Sequence, residues 1–233
     1  MIDFSRLQRV LAFFAHPDDE TLAAGATISK LTGLGVEVYV AIPATGNPKR
    51  KKIRTPASLD KDLGKLRKDC HRALKVLGVP ANQVYFGNFP DNEMDKHSLL
   101  EVVLWLENIL GQVKPDLILT HHRFCTNIDH RICHEAAVTA ARPMVDKHIA
   151  ILCGEIPSST GYLRPTQWEP NLYIEVLEQD VERKIQAIER YKTEIRQDPH
   201  PRSREVLKAF AKVRGSEAGF LFAEAFMVQR MFG

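Results

Sequence analysis

An α/β fold is predicted by three observations. Short uninterrupted apolar runs recur along the first two thirds of the chain, helical stretches with clear stop signals separate them, and the densest polar clusters fall just after two of the runs. Runs rich in β-branched and aromatic residues with no polar interruption mark strands covered on both faces. Alternating strands and helices joined by right-handed crossovers lay those strands side by side in a parallel sheet. The expected architecture is a Rossmann-like three-layer α/β/α sandwich with a mostly parallel sheet, forming a single domain over residues 1–233.

Strands are expected at residues 10–14, 36–42, 84–86, 117–119 and 149–152, with helices at 20–34, 59–77, 98–113 and 130–142. Gly35, Gly78 and Pro115 supply stops for the first three helices. After Cys153, Gly and Pro recur too often in GEIPSSTGYLRPTQWEPN for a regular element, so this stretch reads as a loop near a site or a sheet edge. Residues 171–177 read as a strand, and Val181, Ile185, Ile188 and Ile195 mark one face of a helix ending near Asp198. A further helix follows Ser203, and the apolar tail AEAFMVQRMF completes the fold.

Composition narrows the function classes. The 233 residues are 44% hydrophobic and 26% charged, which excludes a disordered, collagenous or disulfide-scaffold chain. Thirty-two Lys and Arg against 29 Asp and Glu give a net charge of +3, too small a field to suggest nucleic-acid binding. The four cysteines, Cys70, Cys125, Cys133 and Cys153, form no CxxC pair and read as free thiols in a reducing compartment. The apolar run at residues 10–14 is too short for a signal peptide or a membrane span and is followed at once by acids, so the expected location is the cytoplasm. Partners are expected to be small molecules, with assembly into a homo-oligomer left open.

Two clusters carry candidate chemistry. Ala15-His16-Pro17-Asp18-Asp19-Glu20 stands where the first strand gives way to the first helix, and open α/β sheets bind ligands at the carboxyl ends of their strands. An imidazole beside two carboxylates can bind a divalent metal there, although the same residues also read as a capped helix start. Thr120-His121-His122, Asn127-Ile128-Asp129-His130 and His134 follow the fourth strand. His130 and His134 share a helical spacing; His134 has no motif partner and is assigned to packing, His130 to the site. One His, one Asp and one distant His make a three-ligand site open to water, with a neighbouring carboxylate to take a proton.

AHPDDE after the first strand and NIDH after a later one resemble the LmbE-like, PIG-L family of metal-dependent N-deacetylases. The resemblance extends over nearly the whole chain through FPDN at 89–92, KPDLILTHH, PHPRS at 199–203 and AEAF at 223–226. It implies one zinc per chain, another divalent ion being compatible with mixed nitrogen and oxygen ligands, held by His16, Asp19 and His130. It further implies Asp18 as general base toward the attacking water and Asp129 as the group that orients its neighbours.

Two positions depart from the family pattern. Asn127 stands where many relatives carry a histidine, and Asn can donate a hydrogen bond but no proton. His200 in PHPRS is therefore the candidate general acid, while Asn127, Arg202 and Asn92 are candidate substrate contacts. Cys125 stands where NIDH-type relatives carry an acid, which alters the charge of the pocket. The basic run KRKKIR at 49–54 reads as a solvated face or an anion contact. The expected activity is removal of an acetyl or small acyl group from an amide nitrogen, on an N-acetylated amino sugar or sugar conjugate. Hydrolysis of a non-sugar acyl or formyl amide, and a weakened ligand-binding member of the same fold, are the alternatives.

Overall fold

The computed structural model describes residues 7–45, 56–145, 148–163 and 167–232, with side chains from residue 63 in the second helix. The basic run at 49–54 lies outside the described residues. Strands β1 (Arg9–Phe13), β2 (Glu37–Ala44), β3 (Val84–Phe89), β4 (Leu117–His121), β5 (Ala150–Gly154), β6 (Leu172–Glu175) and β7 (Ala223–Arg230) form one sheet. Helices α1 (Asp19–Gly33), α2 (Pro56–Val76), α3 (Leu99–Val113), α4 (Ile128–Ala140), α5 (Glu178–Ile188) and α6 (Arg204–Ala218) complete the described structure.

The sheet order is β3-β2-β1-β4-β5-β7-β6. Strands β1 to β5 pair in parallel, as the alternation of strand and helix requires. Strand β7 is the exception: the apolar tail inserts antiparallel between β5 and β6. The strand order reverses beside β1, which has β2 on one side and β4 on the other. Such a switch point opens a crevice at the carboxyl ends of the two strands, and both candidate clusters sit there.

The central strands β1, β4 and β5 are buried on both faces, which explains their uninterrupted apolar runs. Val10, Ala12 and Phe14 face one core with residues of α1, α2, α5 and α6; Leu11, Phe13 and Ala15 face the other with α3 and α4. This is the three-layer sandwich. Local signals fix the helix ends: Ser98 and Glu101 form a reciprocal capping box on α3, and Asn127 caps α4 by accepting the Asp129 N–H.

The expectation of a helix running to Asp198 is corrected: α5 stops at Ile188. Tight bonds from Arg190 N–H to Ala187, from Tyr191 N–H to Ile188 and from Glu194 N–H to Tyr191 turn the chain inward instead. Ile195 still packs against the core from outside the helix, which is why its spacing imitated a helical face.

Helix α1 is broken at Ala24, where φ is −140° and ψ is 16°. The N–H groups of Ala26 and Thr27 donate to the Glu224 carboxylate at 3.2 and 2.7 Å, and Lys184 Nζ donates to the same carboxylate at 2.6 Å. Glu224, the acid of AEAF, thus caps the second half of α1 from a different element. Glu224→Ala removes the cap and leaves Lys184 buried without its counter-charge, so a loss of about 3–5 kcal/mol is expected. Denaturant unfolding checks this, and a loss under about 1 kcal/mol would mean that Lys184 finds water instead.

Candidate metal and catalytic site

The turn after β1 brings His16 back onto Asp19. Asp19 Oδ2 accepts the His16 N–H at 3.0 Å and lies 3.0 Å from His16 Nδ1. From the far side of the crevice, His130 in the first turn of α4 points Nε2 at the same oxygen, 3.1 Å away. The two imidazole centroids are 5.3 Å apart. One ligand atom from each of His16, Asp19 and His130 lies within 4.8 Å of the others.

The outer nitrogens of both imidazoles are occupied. His16 Nε2 faces Asp129 Oδ2 at 3.0 Å and Asp91 Oδ1 at 2.9 Å. His130 Nδ1 faces Cys125 Sγ at 3.1 Å, and that thiol also meets Ser159 Oγ at 3.0 Å. Asp129 is itself fixed by the N–H groups of Asn92, at 2.6 Å, and Met94, at 3.1 Å. His121 stacks on His130 with centroids 3.8 Å apart, but its Nε2 accepts the Ala15 N–H at 2.8 Å, so it braces the site and offers it no lone pair there.

These contacts decide the charges. Burial works against ionisation of Asp19, yet His130 and His16 outweigh it and hold the carboxyl well below its ordinary range. Burial likewise opposes charge on His130, but Asp19 prevails and lifts it to about 9. His16 is raised against the same penalty by Asp129, Asp19 and Asp91. His121 is pushed well below its ordinary value by burial and by His130. Cys125 is lowered despite burial because His130 sits beside it.

Asp18 stands apart from the three donors. Its Oδ2 accepts Arg202 Nη1 at 2.8 Å, and the same guanidinium reaches Glu194 at 2.9 Å and Ser158 at 3.0 Å. Burial raises the Asp18 pKa well above the usual carboxylate value, with Arg202 acting in the opposite direction. A carboxylate of raised pKa beside such a donor group suits proton transfer.

The structure therefore brings His16, Asp18, Asp19, Asp129 and His130 together at the switch point. Asn127 and Asn92, assigned to substrate from the sequence, bond to each other: Asn127 Nδ2 donates to Asn92 Oδ1 at 2.8 Å, while Asn127 Oδ1 accepts the Asp129 N–H. Arg202 is engaged with Asp18 and Glu194. His200 is exposed; its Nδ1 accepts the Arg202 N–H at 3.0 Å, and among the described residues no hydrogen bond joins its ring to the donors. Two residues of the site are absent from the candidates read from sequence: Asp91, next to Asn92 in the FPDN turn, and Glu194, which carries no motif. The FPDN turn was the available signal for Asp91; Glu194 had none.

The residues fit a divalent ion on the structure's own terms. Two imidazole nitrogens and a carboxylate oxygen converge, and the other His16 nitrogen is held by carboxylates, the outer arrangement that orients metal-ligating histidines. Fold and site together define a doubly wound α/β protein with a His-Asp-His donor group that could hold a cation. The chain belongs to the PIG-L family, GlcNAc-PI de-N-acetylase, whose pattern it matches over residues 11–141.

Three relatives give that family context. The Escherichia coli K12 protein named Uncharacterized deacetylase YaiS is 27% identical over 192 residues, covering 79% of this chain and 90% of its own length. The N,N'-diacetylchitobiose deacetylase of Pyrococcus horikoshii superposes with a TM-score of 0.78 at 22% identity, over 97% of this chain and 85% of that one. GalB of Pseudomonas putida, a 4-carboxy-2-hydroxymuconate hydratase, superposes with a TM-score of 0.75 at 18% identity, over 97% and 98%. The two structural likenesses establish the fold alone. No helix among the described residues is long and apolar enough to cross a membrane.

A pH effect follows from His122, beside the site. Burial, with His134 and Arg123, lowers its pKa from 6.5 to about 4. Below 6.5 the unfolded chain binds a proton that the folded ring refuses until about pH 4, so His122 withdraws stability as pH falls across that window. Thermal unfolding of wild type should decline between about pH 6.5 and 4 more steeply than that of His122→Asn. Equal slopes would remove His122 from the effect.

Proposed function

We propose that the protein is a zinc-dependent N-deacetylase that removes an acetyl or other small acyl group from the amide nitrogen of an N-acetylated amino sugar or sugar conjugate. The observation that carries this reading is the convergence of His16, Asp19 and His130 donor atoms within 4.8 Å, with Asp18 adjacent in sequence and outside that group. Family membership and a sugar-deacetylase neighbour of the same fold support the reaction and the substrate class.

His16 Nδ1, Asp19 Oδ2 and His130 Nε2 would hold the ion. Bound there, it polarises the acyl carbonyl and makes water a better nucleophile. Asp18 takes the proton from the attacking water. Its raised pKa also suits it to return that proton to the departing nitrogen, so that water and amide become carboxylic acid and amine. Arg202 keeps the Asp18 carboxylate in place between these transfers. Asp129 and Asp91 hold the His16 ring so that Nδ1 faces Asp19.

His200 is the sequence-derived acid. Its pKa is lowered by slight burial and by Arg202 and Arg196, which disfavours the protonated ring that a general acid needs. Asp18→Asn should keep its metal and lose on the order of a hundredfold or more in turnover, whereas His200→Asn should lose less than about tenfold. Acetate release over a panel of acylated sugars and amines, with elemental analysis of each protein, checks both. A tenfold larger loss in the His200 variant than in the Asp18 variant would reverse the assignment.

Chelation provides the complementary test. Metal-free protein should be inactive and regain activity at about one Zn²⁺ per chain, and Asp19→Ala should bind the ion at least about tenfold more weakly. Full turnover after complete chelation would end the metal-dependent reading. The hydratase neighbour defines the other outcome to look for: no acetate from any substrate, with water added to an unsaturated acid instead.

A further inference from the structure

Glu20, the last residue of AHPDDE, has no part in the chemistry above, yet its side chain is fully buried beside the site. An apolar side chain of similar length would fill the same space without the desolvation cost of a carboxylate. What an apolar group cannot do is accept hydrogen bonds, and Glu20 accepts three. Oε2 takes the Asp18 N–H at 3.0 Å; Oε1 takes Tyr191 OH at 2.8 Å and Thr21 Oγ1 at 2.7 Å. Glu20, Thr21 and Tyr191 all have zero exposure.

The residue at the end of this chain of contacts is strained. Asp18 has φ 119° and ψ −29°, on the side of backbone space that residues with a Cβ rarely enter. Such a conformation persists only where its surroundings over-determine it. Here they do so from two directions. Tyr191 acts on the Asp18 main chain through Glu20, while Glu194 acts on the Asp18 carboxylate through Arg202. Tyr191 and Glu194 are joined by a 2.8 Å hydrogen bond from the Glu194 N–H to the Tyr191 carbonyl, so one short segment after α5 grips both ends of Asp18.

We infer that Glu20 and Tyr191 are positioning residues for Asp18, holding its backbone in the left-handed conformation that keeps its carboxylate on Arg202 and out of the donor group of His16, Asp19 and His130. This rests on the reading of Asp18 as the proton-transfer residue. The first motif therefore divides its consecutive acids: Asp19 belongs to the donor group, Asp18 is kept out of it, and Glu20 enforces the difference.

Three variants test the inference. Glu20→Gln keeps an acceptor for the Asp18 N–H and presents its amide to the hydroxyl oxygens of Tyr191 and Thr21. Glu20→Met keeps the length and loses the acceptor. Tyr191→Phe removes one hydroxyl and keeps the ring. In crystal structures of the zinc-loaded proteins, Asp18 should retain positive φ in Glu20→Gln and relax to negative φ in Glu20→Met. With N,N'-diacetylchitobiose as substrate, Glu20→Met should lose kcat on the order of a hundredfold at unchanged metal content and little-changed KM. Glu20→Gln should stay within about threefold of wild type, with Tyr191→Phe between the two.

Added to Asp18→Asn, Glu20→Met should cause no further loss, because its effect passes through Asp18. An unchanged Asp18 φ in Glu20→Met, equal damage from Gln and Met, or full additivity with Asp18→Asn would each overturn the inference. If Glu20→Met does not fold, Tyr191→Phe carries the same structural and double-variant comparisons. If Asp18→Asn alone retains kcat, the proton-transfer role fails by itself, and the Asp18 φ in the variants still decides whether Glu20 sets that backbone.

Discussion

Asp19 Oδ2 receives imidazole nitrogens from two parts of the chain, His16 from the turn after β1 and His130 from the start of α4, at 3.0 and 3.1 Å. A carboxylate buried at this depth needs compensating charge or hydrogen bonds. The two rings supply both: His16 comes from the same turn as Asp19, whereas His130 can approach only with β1 and β4 side by side and their carboxyl ends level. The register that pairs Val10 with Leu117 and Ala12 with Leu119 meets that condition. Convergence on one oxygen thus links the sheet topology directly to the chemistry of the site.

Around that centre the carboxylates have different partners. Imidazoles hold the Asp19 carboxyl well below its ordinary range, Asp129 accepts backbone N–H groups and faces His16, and Asp18 meets Arg202 while burial raises its pKa. Acidic side chains confined to one crevice would otherwise repel one another and suppress ionisation. Distinct partners push the Asp18 and Asp19 pKa values in opposite directions, the pattern that lets neighbouring carboxylates take different roles. The break in α1 belongs to the same economy: Glu224 caps the helix beyond Ala24, so the first turn carrying Asp19 and Glu20 is anchored separately from the rest.

Much of this was legible in the sequence because it depends on local pattern. Apolar runs located β1 to β5 to within a few residues, since strands covered on both faces carry no polar interruption. The helices expected at 98–113 and 130–142 lie within two residues of α3 and α4 at either end. Ile195 misled because a residue outside a helix can still occupy its apolar face. The contact of Asp91 with His16 and the buried role of Glu20 were not legible because their partners, His16 and Tyr191, are distant in sequence; Glu194 was not legible because no spacing rule connects it to Arg202, eight residues on.

Residue order by itself determined the strand and helix alternation, the polar turns at the ends of β1 and β4, and the residue types available for ligation and proton transfer. These follow from short-range rules of burial, capping and turn formation, which act within a few residues. Only the tertiary structure decided that β7 runs antiparallel between β5 and β6, that Asn127 and Asn92 brace Asp129, and that Arg202 reaches Asp18. Each depends on side chains meeting across elements, and distance along the chain carries no information about such meetings until the sheet has set its order.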